Sequence, residues 1–380
     1  MQKFFVVCQP GFEEELTREI QEFWPFLIDA DARPNATPFQ VMETSVGGVL
    51  IEAPLILGLQ INFFSRLASR VLLRVNEFRV RDFPKLHERF CRVDLAPFFG
   101  KDPFRVDVAA SKSRLNNEKR IYEICKGIWP AISEEAPAAL LIRMHDDVCT
   151  LSVDTSGDHL HLRTASKWVG EAPLRETVAA FMLRCLIGPR SQAELREVHL
   201  WDPMAGSGTL PGEGKHIFQP HFHRKFTFQK FASCPKILKL EGLSLNYAFF
   251  SSSFASISAS DQNPKMLEVL KHNLAGDSER IFLADFFELN DIAPSVPKAE
   301  RLWFVLNPPY GERLAMQKSF VELGRSLVKF NPERIGILTP RGFSERVAAG
   351  LSGFALENQH FFKNGGIPVE FSVFAKISGQ

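Results

Sequence analysis

Apolar and polar positions alternate along the chain in short segments that switch between a two-residue and a 3.6-residue period. Phe4 to Cys8 reads as a strand that Pro10-Gly11 turns into an amphipathic helix over Glu13 to Phe23, and Gly47 to Glu52 reads as a returning strand. Residues 56–75 read as helical, with Ile61, Phe64, Leu67, Ala68 and Val71 on one stripe, leading into a strand over Val71 to Phe78. A helix over Phe83 to Phe90, a strand over Phe104 to Ala109 and a helix over Lys119 to Ile128, ended near Trp129-Pro130, complete an α+β half.

The second half reads differently. A helix begins near Leu174 and is interrupted at Pro189 and Ser191. Apolar runs at Val198 to Trp201, Ile257 to Ser260, Ile281 to Ala284, Leu302 to Leu306 and Ile335 to Leu338 then alternate with helical stretches such as Phe320 to Val328. His360 to Lys363 and Val369 to Lys376 form a hairpin around Gly365-Gly366. Apolar strands alternating with helices predict an α/β fold with a mostly parallel sheet. Between Gly212 and Ser256 the periodicity fails, and His216, His221, His223, Arg224, Lys225, Phe226, Phe228, Lys230 and Phe231 crowd together. An insertion that touches RNA or the target base is the expectation here; the alternative is an insertion packing its Phe residues on the sheet edge.

Candidate chemistry gathers at the ends of the apolar runs. Asn307-Pro308-Pro309-Tyr310, followed by Gly311 to Leu314, stands at the end of a predicted buried strand, where open α/β sheets bind ligands. An Asn carboxamide oxygen and a neighbouring backbone carbonyl can accept both hydrogens of an exocyclic amino group and leave the nitrogen lone pair free, while a Tyr ring stacks on the base. Asp202-Pro203-Met204-Ala205-Gly206-Ser207-Gly208-Thr209 forms a Gly-rich turn between a strand and a helix, suited to close backbone approach and to binding a carboxylate tail. No Lys follows the glycines as a phosphate cradle would require. Asp261 and Asp285 end the next two strands, where an acid holds ribose hydroxyls or a base.

Taken in order, these segments resemble the THUMP-domain-containing, S-adenosylmethionine-dependent RNA methyltransferases of the bacterial guanine-N2 type. Val153 to Asp158 resembles that family's domain junction, Ala172 to Thr177 the helix before its cofactor loop, and Ala109 to Leu115 its THUMP signature. Ala205 departs from the Cys common there. The resemblance implies a class I Rossmann-like methyltransferase domain over residues 161–380, a seven-stranded sheet with a closing β-hairpin. It would follow a ferredoxin-like α+β unit over 1–55 and a THUMP domain over 56–160. It also implies S-adenosylmethionine as cofactor, held by Asp202, Pro203, Ala205, Gly206, Ser207, Gly208, Thr209, Asp261, Asp285 and Asn307. Asn307, Pro308, Pro309 and Tyr310 would handle the target base.

Charge adds a partner. The net charge is only +1, yet residues 1–60 carry three Lys/Arg against nine Asp/Glu, and residues 61–130 carry fifteen against eight. Arg66, Arg70, Arg74, Arg79 and Arg81 lie in one stretch, and Lys112, Arg114, Lys119, Arg120 and Lys126 in another, as a phosphate-binding face requires. Lys112, Arg114 and Arg313 are the candidate RNA contacts. Six Cys without a Cys-x-x-Cys pair indicate neither a zinc site nor a disulfide framework, so a reducing cytoplasm, no metal and a monomer are expected. No apolar run reaches the ~20 residues of a membrane span. Three functions fit: a guanine-N2 methyltransferase on ribosomal or transfer RNA, an adenine-N6 methyltransferase on RNA or DNA, and a non-catalytic RNA-binding assembly factor.

Overall fold

A computed structural model describes residues 1–163, 167–168, 174–221, 224–239, 254–274, 280–289, 301–310 and 318–377. They divide into two compact units: Met1–Leu160 with the described part of 221–245, and His161–Pro220 with the described part of 246–380.

The first unit is built on strands β1 (Gln2–Val7), β2 (Val41–Ser45), β3 (Gly48–Ala53), β4 (Arg70–Arg79), β5 (Arg105–Ser111), β6 (Ala139–His145) and β7 (Val148–Asp154). They form one sheet in the order β2-β3-β1-β4-β7-β6-β5, antiparallel except for β5 and β6. Because β1 pairs with β4, residues 1–55 and 56–160 share this sheet.

The helix expected over 56–75 is shorter, spanning Leu55–Phe64. Its stripe continues to Val71 in sequence, but Glu19 ends the helix. The buried carboxylate accepts from Ser65 Oγ (2.5 Å), Arg66 N–H (2.9 Å) and Leu67 N–H (3.3 Å), while Ser65 itself turns extended. At the far end of β7, buried Asp154 pairs with Arg70 and accepts from the backbone N–H groups of Ser156 and Gly157.

The aromatic insertion corrects the preferred expectation. Phe226, Phe228 and Phe231 are buried, Phe226 and Phe228 edge-on to Phe63 and Phe231 edge-on to Phe98 and Phe99. The backbone N–H of His221 donates to Phe63 O, and that of Phe228 to Thr155 O. These rings are core of the first unit and offer no faces for bases. His223 and residues 240–253 lie outside the described residues.

The second unit carries β8 (Val198–Asp202), β9 (Ser256–Asp261), β10 (Ile281–Leu283), β11 (Arg301–Leu306), β12 (Arg334–Pro340), β13 (Phe354–Asn364) and β14 (Ile367–Lys376). Their order is β10-β9-β8-β11-β12-β14-β13, the first five parallel and the last two a hairpin added antiparallel to β12. This is the expected Rossmann-like α/β sheet with its closing hairpin. Helix Glu176–Ile187, buried from Thr177 onward, contacts β12, and its Leu186 lies against Gly336 of that strand. A second core gathers Trp201, Phe304, Leu306, Leu327, Phe330 and Ile337. Such two-sided cover is why β8, β11 and β12 read as continuous apolar runs rather than alternating ones.

Candidate active site

Strand order sets the location. From β8 the chain builds outward to β9 and β10, then returns to the other side of β8 with β11. Crossovers diverge between β8 and β11, and the crevice beyond the carboxyl ends at such a switch point is where open α/β sheets bind ligands. Asp202 closes β8, Asp261 closes β9, Asp285 follows β10 by two residues, and Asn307 follows β11 directly. The structure therefore brings the four acidic and amide residues singled out in the sequence to one end of one sheet.

Gly206 and Gly208 serve different ends. Both have positive φ, +52° and +81°. A Cβ on Gly206 would meet nothing within 4 Å, so its backbone faces open space, as a ligand cradle requires. A Cβ on Gly208 would lie 2.9 Å from Leu270 Cδ2, so this glycine lets helix Pro264–Asn273 pack against the turn. Thr209 starts helix Thr209–His216, and Ser207 and Thr209 are buried. Ala205 N–H donates to Ser260 O, and Ser260 Oγ lies 3.4 Å from Pro203 O, tying the turn to β9.

Asp202 is 2% exposed and accepts one hydrogen bond, from Met204 N–H at 3.1 Å. Burial drives its carboxyl well above the ordinary range and the neighbouring Asp261 adds to this, opposed by the Met204 donor. Asp261 accepts from Gly206 N–H (2.9 Å) and Asn263 N–H (2.8 Å), one on each oxygen. Asp285 accepts from Phe287 N–H at 3.0 Å. Asp202 and Asp285 take backbone donors of their own turns, whereas Asp261 also takes one from the Gly-rich turn after β8, and each carboxyl keeps further lone pairs.

Asn307 differs from all of these. Its Oδ1 is buried and, among the described residues, has no hydrogen-bond partner. An orphan carboxamide acceptor away from water costs about 1–3 kcal/mol, an expense that a native fold sustains where a ligand completes the bond. Pro308 is buried and Pro309 and Tyr310 are half-buried. Tyr310 Oη accepts from Asn364 Nδ2 at 3.1 Å, so the end of β13 fixes the ring. Burial raises the phenol above its usual range. Arg313 lies outside the described residues, as do Gly311 to Leu314 and Ala172-Pro173.

Sequence reasoning missed Lys167, Glu176, Asn273 and Asn364. Lys167 Nζ lies 2.6 Å from Glu176 Oε1 and 2.9 Å from Thr209 Oγ1, at the start of the helix behind the Gly-rich turn. No local spacing links these residues.

In the first unit the two basic stretches separate. Arg66 is buried, Arg70 is paired with Asp154, Arg74 with Glu77 and Arg81 with Asp147. Much of that stretch thus serves the fold. Lys112, Arg114, Lys119, Arg120 and Lys126 are all exposed, with the Arg120 guanidinium 3.9 Å above the Phe83 ring. Lys112 sits at φ +48° just past β5, and Arg114 N–H donates to Asp147 Oδ1, which fixes that bend.

Comparison with known proteins bears on this geometry. Residues 163–334, from the segment before the buried helix to the start of β12, match the RMKL-like methyltransferase domain. Over 293 residues the chain is 30% identical to the ribosomal RNA large subunit methyltransferase K/L of Psychromonas ingrahamii, covering 70% of this chain and 38% of that protein. The chain spans less than half the length of the curated relatives it matches. Two solved structures share the fold of this chain: a possible methylase from Clostridium difficile 630, and SMU.472, complexed with SAH. Both have a TM-score of 0.77 and cover 100% of this chain and 99% of theirs, at 22% and 21% identity. No helix among the described residues is long and apolar enough to cross a membrane.

Proposed function

We propose that the chain is an S-adenosylmethionine-dependent methyltransferase that modifies an exocyclic amine, guanine N2, in a structured RNA, ribosomal or transfer. It would act as a monomer in the cytoplasm, where its six cysteines stay reduced. The observation that carries this reading is the buried, unpartnered Oδ1 of Asn307 at the carboxyl end of β11, beside the switch point of a methyltransferase sheet. An acceptor kept empty at that position is an amine-binding group.

The residues present fit the cofactor. Gly206 faces open space where a Cβ would otherwise stand, and Ser207, Gly208 and Thr209 lead into a helix whose first amides favour a carboxylate. Asp202, Pro203 and Ala205 would complete the cradle, with Asp261 for the ribose and Asp285 for the adenine. When bound, S-adenosylmethionine supplies an electrophilic methyl group on a sulfonium leaving group. Asn307 Oδ1 and the Pro308 carbonyl accept the two amine hydrogens and orient the nitrogen lone pair. Pro309 stiffens the turn, and the Tyr310 ring, braced by Asn364, stacks on the base. Alignment is the main requirement, and no side chain acts as a strong base.

Lys112 and Arg114, on the exposed basic bend after β5, would take RNA phosphates in the role of a THUMP domain, and Arg313 would contact phosphate or a base edge. The ribosomal RNA named in the relatives' activity makes large-subunit RNA the first substrate to test. Nucleoside mass spectrometry on ribosomal and transfer RNA from a deletion strain and its parent tests the proposal. Loss of one N2-methylguanosine is expected. Loss of N6-methyladenosine would transfer the same amine chemistry to adenine, and unchanged nucleosides would overturn the enzymatic reading.

A further inference from the structure

We propose that Lys167 and Glu176 form a charged clamp for the zwitterionic amino-acid end of the cofactor, Lys167 taking the carboxylate and Glu176 the α-ammonium. The inference rests on the cofactor reading above and adds the residues that would discriminate this ligand from others. Lys167 Nζ lies 2.6 Å from Glu176 Oε1 and 2.9 Å from Thr209 Oγ1, and the two charged side chains are 17% and 16% exposed. The pair sits where two helices begin, Glu176 at the first residue of Glu176–Ile187 and Thr209 at the first of Thr209–His216.

The position of Lys167 is built. Asn273 Oδ1 accepts from Trp168 N–H at 2.9 Å, and Asn273 Nδ2 donates to Trp168 O (2.7 Å) and Ser207 O (2.8 Å). One side chain thereby fastens the Lys167-Trp168 segment to the Gly-rich turn itself. The Trp168 indole also stacks on His272 with centroids 4.0 Å apart and planes 9° from parallel.

Desolvation offsets most of the attraction in a largely buried ion pair, so this much fastening needs a reason other than stability. Lys167 spends two of its three protons on Glu176 and Thr209, and Glu176 engages one of its two oxygens. What remains is one cationic donor and one anionic acceptor side by side. A phosphate would gain from the lysine and be repelled by Glu176, whereas an α-amino acid presents both matching charges on one carbon. The first amides of helix Thr209–His216 reinforce the carboxylate side.

The test compares two ligands that differ in the amino-acid end. S-adenosylhomocysteine carries it, and 5′-deoxy-5′-methylthioadenosine keeps the adenosine and thioether without it. Calorimetry should show Lys167→Met weakening S-adenosylhomocysteine about ten-fold or more, as loss of a charge-assisted hydrogen bond implies, with methylthioadenosine affinity changed less than about two-fold. Lys167→Arg should recover most of the loss, and an unchanged melting temperature would show that the fold is intact. Equal S-adenosylhomocysteine affinity in Lys167→Met and the unaltered protein would overturn the clamp alone, as would equal losses for both ligands. Failure of the unaltered protein to bind S-adenosylhomocysteine would overturn the cofactor reading and the clamp with it.

Discussion

In the first unit, the buried side chains of Glu19, Asp154 and Asn62 close on donors and acceptors supplied by the protein. Glu19 takes three donors, Asp154 pairs with Arg70 and two backbone N–H groups, and buried Asn62 bonds Leu59 O, Thr155 Oγ1 and Ser156 Oγ. In the second sheet, Asp202 holds a single backbone donor and Asn307 Oδ1 none. Topology accounts for the difference. Antiparallel neighbours return each strand end to the opposite edge, where turns consume polar groups locally. Five parallel strands instead send β8, β9, β10 and β11 toward one edge, and their terminal residues meet at the end of the sheet where open α/β folds bind ligands. At these residues buried polarity is spent on the fold in the first unit and left unspent at the carboxyl ends of the second sheet.

The comparison breaks most visibly at the two glycines of the turn. Gly206→Val should abolish S-adenosylmethionine binding in a protein that still folds. The valine enters open space, and its positive φ costs only about 1–2 kcal/mol. Gly208→Val should instead lower the melting temperature sharply, because its side chain must displace Leu270 and Leu274. Calorimetry showing normal cofactor affinity in folded Gly206→Val would remove the crevice from the cofactor.

Asn307→Ala should lower methyl transfer by about two orders of magnitude, the scale for lost near-attack alignment, and change cofactor affinity far less. It should not destabilise the free protein, since Oδ1 has no partner to lose. A marked fall in melting temperature would mean that the carboxamide serves the fold, as Asn62 does. Single-turnover assays should then separate Tyr310→Ala, a loss of roughly ten-fold from absent stacking, from Tyr310→Phe, about five-fold at most because one hydrogen bond to Asn364 goes. Equal losses would place chemistry on the hydroxyl.

These positions were legible because the parallel sheet writes its ends in the sequence. Apolar runs such as Leu302 to Leu306 stop abruptly at Asn-Pro-Pro, and Val198 to Trp201 at Asp-Pro. What stayed hidden depends on partners far away in the chain. The stripe through Val71 reads as helix, yet Glu19, 46 residues before Ser65, ends that helix at Phe64. Phe226 and Phe228 look like base-stacking residues until Phe63 is found against them. Lys167 meets Thr209 across 42 residues and Asn364 meets Tyr310 across 54, with no periodicity to announce either contact.

The basic bend of the first unit gives a smaller effect. Lys112→Ala with Arg114→Ala should weaken RNA binding about ten-fold at moderate salt and lower the salt slope by roughly one to two, leaving cofactor affinity unchanged. Both side chains are exposed, unlike Arg66 and Arg70, so stability should hold. Unchanged affinity and slope would move the RNA face away from this bend.

The smallest expected effect reads the unspent polarity of Asp202 directly. Its folded carboxyl lies well above the ordinary value of about 3.9. A raised folded pKa means that the protonated acid favours the fold below the unfolded pKa, and that this contribution is lost as pH rises through the folded pKa. Asp202→Asn stays neutral throughout and keeps an oxygen for Met204 N–H. The variant should therefore gain melting temperature over the unaltered protein by a few degrees, with a gain larger at pH 8 than at pH 5. A pH-independent difference would show that burial leaves the Asp202 carboxylate no less favourable in the fold than in the unfolded chain. The distinction between the two sheets would then rest on Asn307 alone.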